Sequence, residues 1–190
     1  MGLRSLHKLT KVLLGGAAAG VVALGASGFP KRVGLTKARA AVSMPGDLVL
    51  PSAQSVVDRS VVVEASPQSV WPYVIQLRHD FKDLWDAPVK TEVIEEPNLV
   101  IWRTGEPASE DDLDLFDASA AVVLEPVSEH ETRIHVRERY NFYNPKGRMA
   151  AAVVTTASAI SIYSRLRKIG EAAAVMSGKT RGGMTGPFSL

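Results

Sequence analysis

Glu138 is the residue with the most chemical potential. It lies in Glu131–Tyr143, ETRIHVRERYNFY, where polar and apolar residues alternate cleanly. Thr132, Ile134, Val136, Tyr140 and Phe142 point to one face of a strand, and Arg133, His135, Arg137, Arg139 and Asn141 to the other. Glu138 interrupts the apolar face. A carboxylate there needs a partner, or its proton is held more tightly than usual. Three roles stay open. It is a general acid/base for a cyclisation or dehydration, it pairs with Arg103 or with an arginine of a helix, or it lies in solvent beyond the sheet edge. Trp71, Trp85, Trp102, Tyr140, Phe142 and Tyr163 are candidate walls of an apolar ligand site, with ordinary core packing as the alternative.

Other chemistries find no support. There is no cysteine, hence no disulfide, thiol nucleophile or cysteine-held metal. His7, His79, His130 and His135 have no metal-ligand spacing, so no metal is expected. The acidic run Glu110, Asp111, Asp112, Asp114 and Asp117 lacks the glycine and final glutamate of a calcium loop, and reads as a solvated loop. No phosphate-cradling glycine loop, Gly-x-Ser-x-Gly elbow or dinucleotide fingerprint occurs, so no cofactor is expected.

Charge is unevenly placed. Seven of the 22 Lys and Arg fall in residues 1–44, which hold no Asp or Glu, leaving 15 basic against 20 acidic residues in the remainder. An acidic globular part argues against nucleic acid as a partner, because binding phosphates needs a basic face. Arg133, Arg137 and Arg139, near Lys146 and Arg148, form a local basic stripe. It either faces anionic lipid or is a solvated face balanced by neighbouring Glu.

These side chains are positioned by an α+β arrangement. Residues 55–64, SVVDRSVVVE, read as a strand with Val57, Val61 and Val63 on one face and Arg59 between them. Ser66 and Pro67 are a helix N-cap and first position, opening an amphipathic helix to about Leu77. Residues 78–88 form a second short helix or turn. Strands follow over Lys90–Glu96, Leu99–Thr104, Ala120–Glu125 and Glu131–Tyr143, with a turn at Pro97-Asn98 and a hairpin at 127–130. Arg148 to about Val175 is one long helix. Its apolar run, Met149 to Ile160, is too short to span a bilayer.

The segments VVVEASPQSVWPYV and EEPNLVIWRTGEP, followed by AAVVLEPVSEHETRIHVRERYNFYNPKGRMA, carry a resemblance. Together they resemble the START-like, or SRPBCC, superfamily, in its polyketide cyclase/dehydrase-like branch, over about residues 55–175. The resemblance implies a helix-grip fold: a curved antiparallel sheet closed by a long C-terminal helix, with a ligand cavity between them. Only Asp86–Glu96 fills a space where that family usually places two further strands, so about five strands and a narrower grip are expected.

Ahead of this unit, Val12–Phe29 is an 18-residue stretch without a charge, preceded by Arg4, Lys8 and Lys11 and stopped by Pro30-Lys31-Arg32. It suits a single-pass membrane anchor, for which about 20 residues are needed. A cleaved secretory signal and a helix of a soluble protein are the alternatives. Gly16 and Gly20 have the small-xxx-small spacing of packed membrane helices. The organisation read from the chain is therefore an N-terminal apolar helix within 1–29, a linker at 30–54, the helix-grip domain at 55–176 and a disordered tail at 177–190. Function follows as a membrane-tethered module, held through residues 12–29, that binds a lipid or other apolar small molecule. A cyclase/dehydrase-like enzyme using Glu138 and an accessory protein without a ligand are the alternatives. Oligomeric state is not legible.

Overall fold

A computed structural model of the chain describes residues 28–105 and 115–176. Most of the expected anchor, the expected tail and the centre of the acidic loop lie outside those residues. Ten elements are present among the described residues. They are β1 (Arg32–Val33), α1 (Lys37–Ala40), β2 (Ser55–Val63), α2 (Pro67–Val74), α3 (Leu77–Trp85), β3 (Val89–Glu95), β4 (Leu99–Thr104), β5 (Phe116–Ser128), β6 (Glu131–Phe142) and α4 (Pro145–Met176).

The strands form one sheet in the order β1-β2-β6-β5-β4-β3. The five long strands are antiparallel neighbours, as expected. The sixth is a correction: β1 has two residues and pairs parallel with β2, placing Arg32 opposite Asp58. So short a strand shows no alternation, which is why its residues read as linker. β5 is also longer than expected at both ends, because Phe116 and Ala118 continue the inward alternation of Ala120 and Val122.

Local chemistry sets the connections. Ser66 Oγ accepts the Ser69 amide at 3.4 Å, and Pro67 opens α2 where its missing N–H costs nothing. α2 stops at Val74, not Leu77. α3 then buries Leu77, Phe81 and Trp85 at four-residue spacing and ends on Asp86 in the left-handed conformation, φ 50°.

α4 lies across one face of the sheet. Its inward residues are mostly small: Gly147, Ala151, Thr155, Ser158, Ala159, Gly170 and Ala173. A Cβ on Gly147 would run into the Leu115 carbonyl, and one on Gly170 into Val63 Cγ1. Small residues therefore let the helix sit close to the strands. The space below is filled by Val57, Val70, Trp71, Phe81, Trp85, Trp102, Val136, Tyr140, Ile162 and Leu166, all buried in one cluster.

The opposite face of the sheet is covered too. Residues 30–54, expected as a linker, run across it. Met44 is buried, and Val49 packs with Leu99, Ile101 and Ala121. Gly46, at φ 92°, lies so close to Ala121 and Ile101 that a side chain would crowd them.

Candidate functional site

Two places in this architecture concentrate candidate functional side chains. The first is the contact of β6 with α4. Glu138 is fully buried there, opposite Val57 on β2 and Ala120 on β5. Tyr140 Oη donates to Glu138 Oε2 at 2.6 Å, and Trp85 Nε1 donates to Tyr140 Oη at 3.3 Å. Ser158 Oγ of α4 donates to Glu138 Oε1 in a short hydrogen bond. Arg59, also fully buried, donates Nη1 to Asp58 O and Nη2 to Thr155 O, each at 3.0 Å. Its Nε has no hydrogen-bond partner among the described residues.

Electrostatics follow from that enclosure. Burial raises the proton affinity of Glu138, and the Arg59 charge and the hydroxyls of Ser158 and Tyr140 pull against it without cancelling it. Burial likewise lowers the Arg59 guanidinium from its ordinary value, opposed by Glu138. Burial, then the Glu138 charge, lifts the Tyr140 phenol well above its usual range. The cation near Glu138 is thus Arg59 of β2. Arg103 instead lies 3.4 Å from Glu92. Sequence reasoning missed this role of Arg59, although a signal existed. Arg59 falls in phase with Val57, Val61 and Val63, so it had to share their buried face.

The six aromatic candidates divide. Trp71, Trp85, Trp102 and Tyr140 are in the closed core, at 4 % exposure or less. Trp85 and Trp102 both stack near Phe81, with ring centroids 5.0 and 5.9 Å away. Tyr163 is half-buried on α4, against Gly34. Phe142 lines an open cleft.

That cleft is the second place. It holds about 660 Å³ where the end of β6, the start of α4 and the chain before β1 meet. Its walls are Pro30, Phe142, Tyr143, Pro145, Ala151 and Ala152, with Gln54, Thr155 and Thr156. Lys31 and Arg148 bring two cations to it, and among the described residues no carboxylate lines it. Asn144 fixes the turn into α4, its Oδ1 accepting the Gly147 amide at 2.8 Å. A second cleft of about 560 Å³, lined by Arg78, His79, Lys82, Asp83 and Asp86 with Ala87, Pro88 and Val89, is mostly charged.

Within the basic stripe, Arg133 lies 3.7 Å from Glu125, while Arg137 and Arg139 are covered by other parts of the chain. Asp58 Oδ1 accepts Arg137 Nε at 2.9 Å and lies 2.8 Å from His135 Nε2. Arg137 also donates to Asp47, Val42 O and Ala40 O, and Arg139 to Asp47, Leu50 O and Pro51 O. The stripe is the seat of residues 30–54. No group of acidic and histidine side chains among the described residues could hold a metal.

A sheet gripped on one face by a long C-terminal helix, with two short helices between the first long strand and the next, identifies the architecture. The fold is a helix grip. No family model matches the sequence, and no curated protein matches it in sequence. Solved structures with a similar fold include the di-domain aromatase/cyclase BexL, at 10% identity and TM-score 0.47 over 65% of this chain. This chain spans 48% of that protein. Norcoclaurine synthase of Thalictrum flavum is similar at 14% identity and TM-score 0.46, over 66% of this chain and 96% of that one. A Streptomyces aromatase/cyclase is similar at 12% identity and TM-score 0.40, over 68% and 98%. These likenesses are of fold.

Proposed function

We propose that this protein is a membrane-tethered helix-grip module that binds an apolar small molecule carrying an anionic group. The tether is the uncharged stretch Val12–Phe29. The ligand site is the cleft at the start of α4, not the core beneath that helix. One observation carries this reading: apolar walls and two cations share a single open hollow of ligand size. Each 100 Å² of apolar surface that the ligand removes from water contributes about 2.5 kcal/mol. Lys31 and Arg148 would orient a carboxylate or similar head at the rim.

Binding fits better than catalysis. Glu138 is buried at zero exposure beneath α4, so no open surface among the described residues leads a substrate to it. The test is native mass spectrometry of the full chain released from detergent, with palmitate as the probe. Saturable binding by the wild type, lost in Ala152→Trp, is expected, because Ala152 is exposed and lines the cleft. Equal binding by Ala152→Trp would remove the cleft as the site, and none by the wild type would favour a role without a ligand.

A further inference from the structure

The exposed face of α4 has no protein partner among the described residues that accounts for its composition. Met149, Val153 and Ile160 are 72%, 69% and 64% exposed. Their spacing of four and seven residues puts them on one side of the helix, opposite the packed row Ala151, Thr155, Ser158, Ile162 and Leu166. Thr156, Ala157 and Ser164 complete that outer side, so no charge occurs from Met149 to Ser164. Tyr143, just before the helix, is 55% exposed. Soluble surfaces rarely leave a helix face this long without charge.

Two further observations say what covers it. Cations bracket the uncharged side: Lys146 and Arg148 at one end, Arg167 and Lys168 at the other, all exposed, and α4 has no acidic residue before Glu171. This is the charge pattern of a helix lying in a bilayer interface, with basic groups reaching the headgroups. Second, the uncharged leader reaches the described structure at this place. It ends at Phe29, and the next residues, Pro30 and Lys31, line the same cleft as Arg148 and Ala152 of α4.

We propose that the outer face of α4 around Met149, Val153 and Ile160 seats on the bilayer surface, so that the cleft opens at the headgroup level and takes its ligand from the membrane. The helix does not cross the bilayer. Its length and apolar composition would permit a span, but its inner row is packed on the sheet from Gly147 to Ala173. The inference rests on the tether proposed above and adds the orientation of the domain.

The chain contains no cysteine, so a single introduced cysteine takes a spin label cleanly. Full-length protein is reconstituted in vesicles of phosphatidylcholine and phosphatidylglycerol. Labels are placed at Val153→Cys, at Ile160→Cys as a second site on the same face, at Val21→Cys in the leader, and at Ile94→Cys on exposed β3 as the control. Oxygen and nickel-chelate collision rates then give depth. The labels at 153 and 160 are expected about 5–10 Å below the headgroup plane, with the label at 94 in water. Labels at 153 and 160 as water-accessible as that at 94 overturn the seating. Shielding from both oxygen and nickel also overturns it, since that is the signature of cover by the leader or by a second copy. A bilayer-embedded label at 21 alongside either result leaves the tether standing, whereas a label at 21 in water overturns the tether and the seating together.

Discussion

Glu138→Gln changes the charge of the buried cluster and little else. Gln keeps the volume, can accept from one of the two hydroxyls that meet Glu138, Tyr140 and Ser158, and can donate to the other. Glu138 has zero exposure, and its carboxyl holds its proton more tightly in the folded chain because burial outweighs Arg59 and the hydroxyls. Such a group contributes stability that is fully present at pH below the unfolded carboxylate range, near about 4.3. That stability is lost as pH rises through the raised folded titration. Gln mimics the protonated form at every pH. The variant is therefore expected to match the wild type in acid and to melt higher once the wild-type carboxyl ionises. Each tenfold by which folding tightens the proton is worth about 1.4 kcal/mol. For a domain of this size that moves the melting temperature by about 3–6 °C. Arg59→Met removes the cation that opposes the shift, so its own stability should fall with pH more steeply than that of the wild type. The assay is thermal unfolding of the full chain in mild detergent, read by circular dichroism from about pH 4 to about pH 9. Wild-type and Gln curves separated by a constant offset would refute the reasoning. A Gln variant that loses ground as pH rises would do the same, because Arg59 would then outweigh burial.

Other outcomes follow from packing. Gly147→Ala drives a methyl into the Leu115 carbonyl, so α4 must lift or tilt at its first turn. A loss of about 1–3 kcal/mol is expected in denaturant unfolding, the usual cost of overpacking. An unchanged midpoint would mean that the helix start is not seated as described. Asp47→Ala removes the carboxylate that holds Arg137 and Arg139, each at 3.0 Å, and with it a clamp on residues 30–54. Trypsin should then cut among Lys31, Arg32, Lys37 and Arg39 about tenfold faster for each 1.4 kcal/mol lost from the segment's docking. Cleavage at the wild-type rate would show that the apolar contacts of Met44 and Val49 suffice.

Much of the fold was legible because its signals are local. Alternation of polar and apolar residues marked β6 correctly to within a residue, and the Ser66-Pro67 cap marked the start of α2. β4 runs over the expected residues, Leu99–Thr104. Even the placement of Glu138 on the gripped face was readable from its phase in the strand. Residues 30–54 were not legible. They are held by backbone carbonyls of Ala40, Val42, Leu50 and Pro51 meeting arginines about 90 positions away, and carbonyls carry no sequence signal.

The candidate site divides along the same line. Sequence alone determined that a carboxylate would interrupt an apolar face, and it offered six aromatics as possible walls without saying which of them meet an open volume. Tertiary structure decided that Arg59 neighbours Glu138, because strand pairing and helix seating set that distance. It also decided where the open volume lies. The small residues of α4 bring the helix down on the sheet, closing the core around Trp71, Trp85, Trp102 and Tyr140 and leaving the cleft at the helix start. Periodicity fixes the face a side chain takes, but how closely two faces approach depends on side-chain volumes contributed by distant parts of the chain.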